Sequence, residues 1–369
     1  MAGFTDTVGV SEGGAGLKPA STGEAGVRLK PDSTEGRPDA EHQSGLQLQP
    51  DSAELRGVRL QPDIAAAYSP GRRLAYLLAA VLAGVVVAGF WNFRVVDGFG
   101  ADIVAANTIG DYRGKAGEFA VLGTTFGFLF AFVAGLAATF TACNCVAFAM
   151  IPGLVCAPDA KAGRAAAFAS LRLLLSAVVL VSVIYGAFVG WLGPVGVAAI
   201  NAREVRFAQA GIVFTVLGIA MLVWGAIELG LLDRLTRRCT ATTRAFFAQP
   251  TTKAAIMGLM IGAFAIGRPY PVFREFLLYA AQAQSPSYGA AVMALQGIGQ
   301  VAVMVVAFVL LLMAFGGQLA AWVTSRPRQP ALVSALALAA GGAYFVFYWG
   351  IARVWPWMGR WGFQLGWYS

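Results

Sequence analysis

Cys143-Asn144-Cys145 sets two thiols two residues apart, and Gly267-Arg268-Pro269-Tyr270-Pro271 sets a guanidinium and a phenol among prolines. Thiolates are the nucleophiles of disulfide exchange and good ligands for soft ions. On a regular helix, residues two apart point roughly 200° apart, so both thiols meet one target only where the helix unwinds. Pro152, a few residues on, supplies a cause of distortion. The other reading of Cys143 and Cys145 is as small apolar side chains in a helix interface, since free cysteine is among the most buried residue types. Arg268 lies inside a long apolar segment. A charge at membrane depth costs ~2.5–3.5 kcal/mol on insertion scales, so such a residue faces a bundle interior or a watery cavity. Its chemistry there is either to hold a polar group in that cavity or to donate to carbonyls freed by Pro269 and Pro271. Gln296 and Gln300 are four apart and share a helix face, so they either line the same cavity or hydrogen-bond between helices. Met257 and Met260 read as core packing. Cys156 and Cys239 fall in or near loops and carry no assigned role.

Other chemistry is excluded by what the chain lacks. Its one histidine, His42, stands in a polar tail, so histidine acid–base catalysis, histidine–metal sites and serine–histidine triads are ruled out for the apolar region of the chain acting alone. Four cysteines in apolar surroundings are too few for a secreted disulfide scaffold. No metal and no cofactor is expected.

The elements that hold these residues must be membrane helices. The chain is 58% hydrophobic and 12% charged, about half the charge of an average soluble domain, which excludes a soluble enzyme and points to lipid as the solvent. Charge gathers before Ala75, in a stretch rich in Gly, Pro, Asp, Glu, Lys and Arg. Residues 1–70 lack hydrophobic periodicity and cannot offset backbone ordering entropy, so a disordered tail is expected. A short unit recurs there, at Val27–Ser33, Leu46–Ser52 and Val58–Ile64, at irregular spacing that marks low complexity rather than a solenoid.

Seven apolar segments follow, near Leu74–Trp91, Phe119–Met150, Ala167–Leu192, Ala208–Leu231, Ala254–Ala281, Ala290–Phe315 and Ala331–Ala352. Each approaches the ~20 residues that a spanning helix needs. The first apolar run begins far into the chain and is long enough to span, so it reads as a membrane helix and not as a signal peptide. The second and fifth are over-long and interrupted, one by Cys143-Asn144-Cys145 and Pro152, the other by Arg268 to Pro271, so a broken or re-entrant helix is expected at each.

Basic residues orient the chain. Arg72 and Arg73, Lys161 and Arg164, Arg234 to Lys253, and Arg326 and Arg328 all fall on one side, which is therefore the cytoplasmic one. The opposite loop after the first span balances Arg94, Arg113 and Lys115 with Asp97, Asp102, Asp111 and Glu118. The net charge of +8 is thus a topology signal and not a nucleic-acid footprint. The reading is a multi-pass protein of the inner (cytoplasmic) membrane, its N-terminus cytoplasmic and its C-terminus external. Trp355, Trp357, Trp361, Trp367 and Tyr368, within residues 355–369, suit an interfacial aromatic belt.

The last six spans divide into two sets of three, each opening with its interrupted helix, which is the inverted-repeat plan of many transporters. Gly135-Leu136-Ala137-Ala138-Thr139-Phe140-Thr141-Ala142-Cys143 leads into the first break, and the run Gly258 to Pro271 leads into the second. With the glycine patterns Gly186 to Gly193 and Gly297-Ile298-Gly299, these motifs resemble the transmembrane thiol-disulfide conduits typified by CcdA and the membrane domain of DsbD, which serve cytochrome c maturation. The resemblance covers roughly residues 118–354 and leaves the helix at 74–91 as an addition. It implies transfer of reducing equivalents across the membrane by a thiol-disulfide oxidoreductase, with Cys143 as nucleophile, Cys145 as a second thiol and thioredoxin-like proteins as partners. An ungapped match sets Arg268 where that family carries its other cysteine, and a shifted match sets Tyr270 there. The alternative is therefore a transporter that keeps the fold without the redox pair, with Cys143, Cys145 and Arg268 lining a site for a soft cation or small anion. The expected fold is all-α and integral to the membrane, with about seven helices, one extra at the N-terminus and a 3+3 core.

Overall fold

The computed structural model describes residues 64–141, 144, 160–236, 238–326, 328–359 and 361–366. Nearly all of the tail, Cys143, Cys145, Pro152, Cys156, Trp367 and Tyr368 lie outside them. All regular structure among the described residues is helical. The principal helices are α1 (Pro70–Gly89), α2 (Phe119–Ala138), α3 (Ala160–Asn201), α4 (Arg203–Glu228), α5 (Pro250–Gly267), α6 (Pro271–Ala281), α7 (Pro286–Ser325) and α8 (Arg328–Phe345). Seven spans long and apolar enough to cross a membrane fall on these, α6 excepted, so the chain is a multi-pass membrane protein.

Local sequence explains where the helices begin and stop. Pro70, Pro250 and Pro271 open α1, α5 and α6, where a missing N–H costs nothing. The fifth span breaks as expected: α5 ends at Gly267, Arg268 and Tyr270 are extended, and α6 restarts at Pro271. The third runs further than its apolar pattern, because the chain turns at Gly193 (φ 68°) before Pro194 and then stays helical to Asn201. The loop after α1 is itself helical. Asn92 Oδ1 accepts from the Arg94 and Val95 amides and Asp111 caps the turn at Tyr112–Lys115, with a π-helical turn at Phe99–Ala105 between them.

Glycines set the crossings between the two sets of three. A side chain at Gly186 of α3 would run into the Gly289 carbonyl of α7, and one at Gly258 of α5 into the Leu174 carbonyl of α3. The reciprocal contact is present: Gly135 of α2 lies on the Gln296 carbonyl of α7. Helices α4 and α8 cross at Gly218 and Gly342, with Gly211 near Trp349 on one side and Gly225 near Ala335 on the other. These contacts step seven residues up one helix and seven down the other, as antiparallel helices packed along one face require. Small residues at such crossings let backbones approach closely, which is how membrane helices gain packing energy. The added helix α1 packs on α8. Leu78, Leu82, Ile212, Val216, Leu310 and Met313 point outward from the spanning helices and form part of an apolar belt suited to lipid.

The face bearing the basic loops is tied by two contacts. Arg73 donates from Nη1 to the Gly230 carbonyl at 2.6 Å, just past the end of α4, and lies 3.7 Å from Asp233. A cation there meets the negative end of the helix dipole. Glu228 near the end of α4 pairs with Lys253 at the start of α5 and accepts from the Trp224 indole.

Candidate functional site

On the opposite face, where α1 and α8 end and α4 begins, a cavity of about 840 Å³ opens beside the break between α5 and α6. Arg268, Pro269, Tyr270 and Pro271 line it, and so does Thr141, at the end of the segment that follows α2. Arg268 is 1% exposed, which fits the burial expected of a charge in an apolar segment. Its Nη1 donates to Gln300 Oε1 at 3.2 Å. Gln300 in turn donates from Nε2 to the Ile261 carbonyl (3.1 Å) and to Asn144 Oδ1 (3.3 Å), and Gln296 Nε2 lies 3.4 Å from its Oε1. The two glutamines therefore stand behind Arg268 and orient it; they are not on the cavity wall.

The break leaves carbonyls without helical donors: Pro269 and Pro271 have no N–H to give to Ala265 and Gly267, and the extended backbone at Arg268 takes its own carbonyl out of the helical ladder. Arg206 of α4 repairs one of them, donating from Nε to the Arg268 carbonyl at 3.0 Å and from Nη1 to the Tyr185 hydroxyl at 3.1 Å. It is fully buried, and its guanidinium carbon sits 5.6 Å from the Phe273 ring centre, with that of Arg268 at 5.9 Å from the same ring. Arg274 is tied to the far end of α3: its Nη2 donates to the Asn201 carbonyl at 2.7 Å while Asn201 Nδ2 donates to the Arg274 carbonyl at 3.0 Å.

The rest of the wall was not singled out by sequence. Arg203 and Glu204 come from the first turn of α4, Asp97 from the capped turn after α1, and Arg353 from beyond α8. Tyr344, Tyr348 and Trp349 come from the end of α8 and the π-helical turn Val346–Ile351 that follows it. The rings of Tyr344 and Tyr348 stack at 5.5 Å, Trp349 meets Tyr348 edge-on at 5.2 Å, and Trp91 meets Tyr344 at 5.4 Å. The one readable signal was the pair Arg203 and Arg206 beside an apolar run, which the choice of Ala208 as helix start left outside the span. Four arginines thus face two carboxylates across an aromatic wall. Burial raises the Asp97 carboxyl to about 6, against the opposing pull of Arg268.

Helix α6 also aims its N-terminus at the cavity through Tyr270 and Pro271, where the helix dipole favours negative charge. The Tyr270 hydroxyl is buried and makes no hydrogen bond within the protein. The arrangement can bind and orient an anion. Cys143 and Cys145 lie outside the described residues, and among those residues no group of His, Cys, Asp and Glu is placed to hold a metal ion. Comparison with family models, with curated proteins and with solved structures returned no match to this chain.

Proposed function

We propose that this membrane protein is a carrier whose solute binds in the cavity beside the α5–α6 break, with Arg268 as the principal binding group and Tyr270 beside it. One observation carries the reading: a buried arginine at a helix break, held from behind by Gln300 and opening onto a cavity. Broken helices whose half-helix ends meet at the interface of two repeats are where transporters bind their substrates. Cations are disfavoured by four arginines against two carboxylates. Because the basic loops lie on the other face, the cavity opens to the exterior of the cytoplasmic membrane, with the C-terminus on that side. The test is electrical: the full chain is reconstituted on a solid-supported membrane and challenged with a panel of small anions and cations. Charge displacement on anion jumps alone is expected, and none with any solute overturns the carrier.

The second reading is a thiol-disulfide conduit in which Cys143 exchanges with thioredoxin-like partners and Cys145 resolves the adduct. Its support is that Thr141 and Asn144, which bracket Cys143 in the sequence, reach the cavity wall and Gln300 respectively.

A further inference from the structure

The carrier reading leaves the solute open, and the cavity wall narrows it. We infer that the solute is a small organic anion with a flat apolar body, such as an aromatic monocarboxylate, its carboxylate at Arg268 and Tyr270 and its ring against Tyr344, Tyr348 and Trp349. The inference rests on the carrier reading for transport but on the wall alone for the solute's chemistry.

Three observations converge. The polar end of the cavity gathers the Arg268 guanidinium, the buried Tyr270 hydroxyl that has no partner in the protein, and the N-terminus of α6, with the Asp97 carboxyl beside them and Arg203, Arg274 and Arg353 leaving the wall net positive. A carboxylate accepts from all three, and charge-assisted bonds of this kind are the strong ones. The second wall is aromatic and continuous, Trp91 to Tyr344 to Tyr348 to Trp349, with each adjacent pair of ring centres between 5.2 and 5.5 Å apart. A ring laid on it gains stacking that a compact inorganic anion cannot use. Finally, about 840 Å³ lies within the ~300–1,000 Å³ of small-molecule sites and far exceeds what phosphate or acetate fills. An aromatic wall alone also suits a quaternary ammonium ion. Arg203, Arg274 and Arg353 around the same cavity oppose that ligand.

The experiment measures thermal unfolding of the purified full chain in detergent with benzoate, phenylacetate and 2-naphthoate, and with benzamide, acetate and benzyltrimethylammonium as counter-probes. The three acids should raise the midpoint in a saturable way and the counter-probes should not. Tyr270→Phe should weaken benzoate binding about threefold to tenfold, and Arg268→Gln by about tenfold or more. Trp349→Ala should weaken 2-naphthoate more than benzoate, which keeps the test decisive where Arg268→Gln fails to fold. Stabilisation by none of the three acids, or stronger stabilisation by acetate or benzyltrimethylammonium, overturns the inference. Uptake into proteoliposomes separates the two claims. Saturable binding of the acids without uptake upholds the solute class and ends the carrier reading, while uptake of acetate or inorganic phosphate in preference to the acids does the reverse.

Discussion

Arg206 donates from Nε to the backbone carbonyl of Arg268 at 3.0 Å, so a guanidinium from one half of the bundle satisfies the carbonyl exposed where the other half is broken. The break is thus a braced feature, and the brace fixes the height of Arg268 against the cavity. Arg206→Leu removes the donor and leaves a buried carbonyl and the Tyr185 hydroxyl unsatisfied, which costs about 1–3 kcal/mol for each orphaned group. The thermal midpoint in detergent should fall clearly, with Arg206→Lys intermediate. A wild-type midpoint in Arg206→Leu would show that the brace contributes nothing.

The Gly186–Gly289 crossing makes a sharper packing prediction. A side chain at Gly186 meets the Gly289 carbonyl and the Met293 Cβ, neither of which can swing away, whereas nothing lies within 4 Å of a Cβ at Gly317 of α7. Gly186→Val should lower the yield of folded protein or cost at least about 1–3 kcal/mol, the usual range for overpacking. Gly317→Ala on the same bundle should be neutral or mildly stabilising. Size-exclusion profiles and thermal midpoints of the two variants, compared side by side, check the crossing.

Asp97 gives the pH dependence. Burial raises its carboxyl from 3.8 to about 6, with Arg268 acting against the shift. The protonated form is the one the fold prefers, so the contribution of Asp97 to stability is complete below about 3.8 and is lost as pH rises through about 6. The thermal midpoint should fall between about pH 4 and pH 6, and Asp97→Asn should flatten that part of the curve. A wild-type slope in Asp97→Asn would show that Asp97 is not the group responsible.

The conduit reading is checked through its thiols. Under it, Cys145→Ser should trap a mixed disulfide with a thioredoxin-like protein in cells, and Cys143→Ser should abolish the adduct. Under the carrier reading neither variant yields one, and mass measurement after acid quenching distinguishes the two.

Much of this architecture was legible in the sequence because lipid imposes simple rules. The seven spans followed from apolar length, and the break at Arg268 followed from two prolines flanking a charge. The end of the third apolar run at Leu192 met a real turn, at Gly193, yet the helix resumed beyond Pro194, which hydropathy does not register. The cavity was half visible. Arg268 and Tyr270 stood out within an apolar run, but Asp97, Glu204, Tyr348 and Trp349 are ordinary residues at helix ends, and only their convergence from separate parts of the chain makes them a wall. Gln296 and Gln300 left two readings, a cavity wall or hydrogen bonds between helices; Gln300 bonds to Arg268 from behind the wall, and the choice depends on helix rotation, which a four-residue spacing does not determine.

The central claim is that Arg268 binds an anion that the protein moves. Charge displacement on a solid-supported membrane, recorded for benzoate jumps with the wild-type chain and Arg268→Gln reconstituted at equal density, tests it most directly. The account predicts a saturable signal in the wild type and a half-saturating concentration raised about tenfold or more, or no signal, in the folded variant. Equal signals from the two proteins at every benzoate concentration would contradict it.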